Sequence, residues 1–286
     1  MILAILGPGT LGCSLARHAV SRGLTVRLLG RDGAHAQSAL EGLQRRNPTI
    51  SGVSALGLGP EALEGADFLL EALPEDPEIK ERAWKALRPW LPELTLRLTG
   101  SSSLPIKALD ESAGLQGRLM GFHLFVPVSR MGAVECVVPN EVPDQDRQGL
   151  LALSALLGLK AIQVKDGLGY AAARMGLAQG LEAMRLLEAG VASAADLDAL
   201  MVLGYGHPVG PLELSDRIGL DLRLAIATRL FQATLDPRFE PPAILVNLVA
   251  KGDLGRKTGR GFFAWDRLGA CPRNPPGGVE APGEPG

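Results

Sequence analysis

The sequence predicts a doubly wound α/β domain followed by an all-helical C-terminal domain, and three observations lead there. An apolar run at the N-terminus passes straight into a glycine turn that opens a helix. Through residue 165, short apolar runs alternate with helical stretches, the pattern of βαβ units packed on a parallel sheet. After Lys165 the strand signals vanish and helical periodicity alone remains.

Taken in order, strands are expected near Ile2–Leu6, Thr25–Leu29, Phe68–Glu71, Leu94–Leu98, Leu119–His123 and Ala133–Val138, with a short one near Ala161–Val164. Leu11–Ser21, Ala36–Gln44, Ile79–Leu87 and Asp144–Leu157 carry the spacing of helices, and residues 47–60 read as a loop with one short strand. In the second half Ala171–Ala189, Ser193–Val202, Pro211–Ile218, Leu220–Leu235 and Ala243–Lys251 are helical. The expected division is a nucleotide domain over 1–165, a helical domain over 166–267, and a Pro/Gly-rich mobile tail over 268–286.

Composition narrows the function classes. With 286 residues, 46% hydrophobic and 21% charged, the chain has the make-up of a soluble globular protein. A net charge of -2 gives no electrostatic reason for nucleic acid or an anionic membrane as a partner. No apolar run approaches the ~20 residues of a membrane span. The opening MILAIL lacks a basic lead and reads as a strand, not a signal peptide. Three cysteines, Cys13, Cys136 and Cys271, are not clustered as a metal motif requires, so no metal is expected and a reduced, cytoplasmic setting is.

Chemistry enters at Gly7-Pro-Gly9-Thr10-Leu11-Gly12, the GxGxxG turn of a Rossmann-type dinucleotide site. Gly7 permits the tight turn, Gly9 admits a pyrophosphate to the backbone, and Gly12 lets the helix lie close on the strand. Thr10 and Leu11 open the helix, whose N-terminus favours the phosphate charge. A purely structural glycine turn is the other reading, but the strand before it and the helix after it are the context that a cofactor site requires. The second strand of an NAD enzyme ordinarily ends in an acid that binds the ribose hydroxyls. Here Gly30 stands there, followed by Arg31 and Asp32. Arg31 could pair with the 2′-phosphate of NADP; alternatively it stacks on adenine, or Asp32 substitutes for the missing acid. NAD and NADP therefore both stay open.

Oxidising a secondary alcohol needs a base for the hydroxyl proton. His123 lies where a strand ends, and strand ends in such sheets face the ligand crevice. Glu135, twelve positions on in the next expected strand, interrupts an apolar run and is near enough to orient the imidazole. A packed histidine and a surface glutamate are the plainer alternatives. His18 and His35 fall in helices of the nucleotide domain and read as surface or packing residues. His207 reads as a turn residue. The basic cluster Lys251, Arg256, Lys257 and Arg260 reads as a solvated face before it reads as a phosphate site.

Several ordered segments resemble the 3-hydroxyacyl-CoA dehydrogenase family: LLEALPEDPEIK (69–80), TGSSSLPI (99–106), GFHLFVP (121–127), VEC (134–136), VKDGLGY (164–170), GHPVGPLELSDRIGLD (206–221) and LGRKTGRGFF (254–263). The resemblance implies NAD(P)-dependent oxidation of an L-3-hydroxyacyl-CoA in fatty acid metabolism. His123 would be the acid/base, Glu135 its orienter, and Ser102 a hydrogen-bond partner of the substrate oxygen. It also implies that Glu75 and Lys80 line the cofactor side, their plainer reading being a solvated helix start. A homodimer through the helical domain, which also lines the substrate site, is a further implication.

The chain departs from that pattern in four places. Gly100, Val126 and Ala173 stand where the family has asparagines, Ala173 in place of one that helps hold the substrate carbonyl oxygen. The segment between Gly30 and Asp67 is too short for the helical hairpin that covers part of CoA in relatives. A free 3-hydroxy acid or sugar acid is therefore a second substrate class, and a catalytically weakened dinucleotide-binding protein is the alternative outside catalysis.

Overall fold

The first helix, α1 (Thr10–Ser21), begins directly after the first strand, β1 (Ile2–Leu6), because two glycines bring their backbones together. Gly7 has φ +107°, and a Cβ there would meet the Ala72 carbonyl oxygen at 2.6 Å. A Cβ on Gly12 would lie 2.0 Å from the Gly7 carbonyl oxygen. Neither position can carry a side chain without moving backbone, so both glycines are fixed by the turn itself. The computed structural model describes residues 1–266. The expected tail over 268–286 and Cys271 lie outside the described residues.

Further strands are β2 (Thr25–Leu29), β3 (Val53–Leu56), β4 (Phe68–Glu71), β5 (Leu96–Thr99), β6 (Leu119–Leu124), β7 (Ala133–Val137) and β8 (Lys160–Val164). They form a single eight-stranded sheet in the order β3-β2-β1-β4-β5-β6-β7-β8. Every pairing is parallel except that of β6 with β7. Strand order reverses between β1 and β4, the switch point at which doubly wound sheets open a crevice beyond their carboxyl ends. Gly7 follows β1 there, while Glu71 and Thr99 are the last residues of β4 and β5.

Alternation along the strands builds a core on each face. Leu3 and Ile5 of β1 pack with Leu15, Ala16 and Ala19 of α1 on one face. Ala4 and Leu6, pointing the other way, pack with Trp84 and Leu87 of a helix on the opposite face. That helix, α4 (Pro77–Leu87), follows α2 (Gly33–Arg46) and the one-turn α3 (Pro60–Leu63). After α4 come α5 (Ile106–Ala113) and α6 (Asp144–Leu156). Burying each such leucine contributes about 1.5–3 kcal/mol, which makes both faces indispensable. α2 leads to β3 through a short connection, with no helical hairpin between them.

Two compact units divide the chain at Tyr170 and Ala171. The second contains α7 (Ala172–Glu188), α8 (Ala194–Ala199), α9 (Pro211–Ile218), α10 (Leu220–Thr234) and α11 (Ala243–Ala250). The single helix expected over 193–202 is divided: α8 gives way to a π-helical turn, Leu200–Gly204, whose wider spiral brings the Met201 carbonyl to the His207 N–H at 3.1 Å. Two helices carried no readable signal. α3 is four residues long, and α5 is started by a carboxylate from elsewhere in the chain: Asp166, just beyond β8, accepts from the Ile106 and Lys107 N–H groups at 2.8 Å each. α2 begins three residues earlier than expected because Asp32 caps it, accepting from the His35 N–H at 2.7 Å. No helix among the described residues is long and apolar enough to cross a membrane.

Candidate active site

The β6–β7 pairing sets the first part of the site. Antiparallel register places His123 directly opposite Glu135. Opposed residues share a sheet face with Cβ atoms ~5 Å apart, close enough for an imidazole and a carboxylate to meet. Here His123 Nδ1 lies 2.7 Å from Glu135 Oε2. Glu135 is 3% exposed, and Glu135 as a carboxylate accepts, so Nδ1 carries the proton and Nε2 is the basic nitrogen. Phe125 and Tyr170 lie beside the His123 ring, with centroids 5.0 and 6.2 Å away. The Tyr170 hydroxyl donates to the Leu104 carbonyl at 2.6 Å. Burial pushes its pKa far above the ordinary value, so it stays a neutral donor.

The second part is the loop after β5. Ser101, Ser102 and Ser103 surround one oxygen, Glu75 Oε1. It receives the Ser101 hydroxyl at 2.7 Å, the Ser102 and Ser103 N–H groups at 2.9 and 2.7 Å, and the Ser103 hydroxyl at 2.9 Å. The Ser102 hydroxyl stands farther off, at 3.3 Å. Ser101 and Ser103 are buried, whereas Ser102 is half-buried.

Behind Glu75 lies a sealed ion pair. Lys80 Nζ donates to Glu71 Oε1 and Oε2 at 2.8 and 3.0 Å and to the Leu73 carbonyl at 3.2 Å, with Glu75 Oε2 at 3.6 Å. Lys80 is 1% exposed and Glu71 fully buried. The plainer reading of Glu75 and Lys80, a solvated helix start, does not hold, since Lys80 is sealed from water. The Lys80 ammonium donates to partners within the protein. Glu71 also accepts from the Thr99 hydroxyl and the Leu73 N–H, both at 2.6 Å. Burial alone would raise the Glu75 pKa, but the Lys80 charge and the serine hydrogen bonds outweigh it and hold the carboxyl below its ordinary value.

The third part is the glycine turn. Gly9 and Thr10 are exposed, a Cβ on Gly9 would meet nothing within 4 Å, and no side chain caps α1. A pyrophosphate fits that open helix N-terminus. Gly30 is buried, and a Cβ there would meet the Ala36 nitrogen at 2.8 Å and the Asp32 carbonyl oxygen at 2.9 Å. An acid at this position would need a different α2 entry. Asp32 does not replace it freely, because its carboxylate caps α2 and pairs with Arg31 Nε at 3.3 Å. The Arg31 side chain is 83% exposed.

The remaining candidates find simpler roles. His18 is buried in α1, its Nε2 2.7 Å from the Leu157 carbonyl oxygen. Lys257 pairs with Asp221 at 2.5 Å and Arg260 with Asp253 at 3.7 Å, so two of the four cations of the basic cluster have an acidic partner. Val126 is 47% exposed and Gly100 lies under the Leu11 side chain. Among the described residues no group of three or more His, Cys, Asp or Glu is placed to hold a metal ion. Glu71, Thr99, Asp166 and Tyr170 were not singled out from the sequence. Glu71 alone carried a signal, an acid closing the apolar run FLLE.

The family model for the NAD binding domain of 3-hydroxyacyl-CoA dehydrogenase matches residues 2–167, and that for its C-terminal domain matches 169–265. The chain belongs to the 3-hydroxyacyl-CoA dehydrogenase family. A pig mitochondrial hydroxyacyl-coenzyme A dehydrogenase is 30% identical over 92% of this chain and 90% of its own. A probable 3-hydroxybutyryl-CoA dehydrogenase of Bacillus subtilis is 29% identical over 92% of this chain and 97% of its own. The crystal structure of (S)-3-hydroxybutyryl-CoA dehydrogenase from Ralstonia eutropha superposes with a TM-score of 0.84 at 29% identity, covering 93% of this chain and 99% of that one. This member of the family is therefore an oxidoreductase whose first unit is an NAD-binding domain.

The depressed Glu75 pKa fixes a sign for acid stability. Its folded pKa lies below the ordinary 4.5, so the stability it contributes is complete above that value and is lost as pH falls through the folded pKa. Glu75→Gln is expected to flatten the fall in thermal midpoint between about pH 6 and pH 3 relative to the parent protein, as read by circular dichroism.

Proposed function

We propose that the protein catalyses the reversible oxidation of an L-3-hydroxyacyl-CoA to the 3-ketoacyl-CoA, with His123 as the acid/base. The observation that carries this is the 2.7 Å pairing of His123 with a buried Glu135 in an NAD-binding unit. The cofactor, held at Gly7, Gly9, Thr10, Leu11 and Gly12, supplies the two-electron acceptor when bound. His123 Nε2 takes the hydroxyl proton in oxidation and returns it in reduction. Glu135 holds the tautomer and stabilises the imidazolium that forms. Ser102 donates its hydroxyl to the substrate oxygen, where negative charge develops. Glu75 borders that loop, and Lys80 acts through the carboxylates that it pairs.

A free 3-hydroxy acid is the second reading, favoured by the direct passage from α2 to β3 without a CoA-covering hairpin. Loss of the reduced nicotinamide absorbance with acetoacetyl-CoA, compared with acetoacetate, distinguishes the two. Turnover with the thioester is expected, and His123→Ala is expected to lower kcat by ~10²–10⁴-fold. Turnover with acetoacetate alone transfers the mechanism to the second reading; reduction of neither, with cofactor bound, removes both and leaves a dinucleotide-binding protein.

The exposed Arg31, with Gly30 in place of an acid, supports use of NADP beside NAD. Arg31→Ala is expected to lower kcat/KM for NADPH about tenfold and leave that for NADH within about twofold. Equal losses for both cofactors would show that Arg31 reads no 2′-phosphate.

A cytoplasmic homodimer through the helical unit that begins at Ala171 completes the reading. Exposed apolar side chains in the helical unit support it: Met175 is 73% exposed, Leu203 85% and Tyr205 78%. Sedimentation at micromolar concentration is expected to give a dimer, and a monomer there would contradict it.

A further inference from the structure

We infer that Glu75 is a positioning residue for the reaction: its carboxylate fixes the Ser101–Ser103 loop so that Ser102, alone of the three serines, keeps a hydroxyl available to the substrate. This deepens the function proposed above and rests on its assignment of Ser102.

Three hydroxyls in a row pose a problem of selection. Each could donate to a substrate oxygen, and a loop free to rotate would present them interchangeably. One carboxylate oxygen removes that freedom. Glu75 Oε1 collects two successive backbone N–H groups, from Ser102 and Ser103, which fixes the direction of the chain on both sides of Ser102 Cα. It also takes the Ser101 and Ser103 hydroxyls at 2.7 and 2.9 Å, and both residues are buried. Ser101 Oγ is engaged again by the Leu104 N–H at 3.1 Å. Only the Ser102 hydroxyl is left with a long contact, 3.3 Å, and partial exposure. A hydrogen bond of that length is readily exchanged for a shorter one to a ligand.

The clamp needs a rigid anchor, because Glu75 lies between β4 and α4 in a connection without regular structure. Lys80 and Glu71 supply it. Their bonds join the end of β4, the end of β5 through Thr99, and the first turn of α4, all in the same buried volume. Two carboxylates then share one ammonium. Lys80 is nearer Glu71, so Glu75 keeps most of its charge for the serine donors, and charged acceptors make the stronger bonds. The loop is also held on its far side. The Gly169 N–H donates to the Ser103 carbonyl at 2.8 Å, and Tyr170 donates to Leu104. A serine held this closely is presented in one orientation, which is what a transition-state donor requires.

A double-mutant cycle on the full-length protein tests the inference, using acetoacetyl-CoA and NADH for turnover, NADH fluorescence for cofactor binding and thermal midpoint for folding. Ser102→Ala and Glu75→Ala are each expected to lower kcat by ~10²-fold, the penalty typical of a displaced or deleted transition-state donor. KM and the NADH Kd should stay within about threefold, because a positioning defect acts on the reaction step. The double variant should be no slower than Ser102→Ala alone, since the clamp acts only through that hydroxyl. Glu75→Gln, which keeps an oxygen for the two N–H groups, should recover at least about a tenth of the parental kcat. Should Glu75→Ala not fold, Ser101→Ala gives the same cycle in milder form, losing several-fold in kcat and nothing further on the Ser102→Ala background. Fully additive losses, or a Glu75→Ala protein with parental kcat, overturn the inference while Ser102→Ala remains impaired. A silent Ser102→Ala instead overturns the assignment of Ser102 itself.

Discussion

An ammonium group with almost no access to water holds the centre of this nucleotide-binding unit. Lys80 is 1% exposed, and taking such a charge out of water costs several kcal/mol unless it is closely paired. Glu71 meets it with both oxygens, and Thr99, Leu73 and Glu75 complete the arrangement. Removing one partner would strand the other, a loss of about 3–5 kcal/mol. The pair therefore fixes where β4 ends, where β5 ends and how α4 begins. Those three points define one side of the crevice that the glycine turn opens at the strand-order switch.

Against this rigid side the reacting groups are placed by backbone geometry. The β6–β7 ladder brings His123 and Glu135 together by register alone, so a one-residue slip would send them to opposite faces. The serine loop follows β5 and is drawn onto Glu75. In the proposed mechanism, proton transfer would rest on β6 and β7, and oxygen stabilisation on the loop after the adjoining β5. The site does not depend on long flexible segments, which suits a reaction whose rate depends on sub-ångström alignment.

Of the departures at Gly100, Val126 and Ala173, the first has a physical reason in this setting. Gly100 lies where a Cβ would meet Leu11 Cδ2 at 2.9 Å, and its N–H is held by the Glu71 carbonyl at 2.7 Å. The space a larger side chain would occupy is filled by Leu11 from α1. A serine loop fixed by five hydrogen bonds to one carboxylate oxygen is one way for the chain to keep a well-aimed donor.

How far the sequence reaches is clearest from single residues. Short apolar runs located β1, β2 and β4 to the residue, and the glycine spacing pointed to the dinucleotide turn, because both signals are local and steric. His123 and Glu135 were legible as well, since a charged residue inside an apolar strand demands a partner. The burial of Lys80 was not: the sequence suggests a cofactor-side residue or a solvated helix start, and only its bonds to Glu71 in the folded chain reveal that it is sealed. α5 was missed because its N-terminal N–H groups are satisfied by Asp166, sixty residues away. Among the three serines the sequence offered no physical choice; in the structure the Glu75 carboxylate binds the Ser101 and Ser103 hydroxyls closely and that of Ser102 at a longer 3.3 Å. Local sterics and periodicity were thus written in the sequence. The burial of charge, and the sharing of one oxygen among groups remote in the chain, were decided by the tertiary structure.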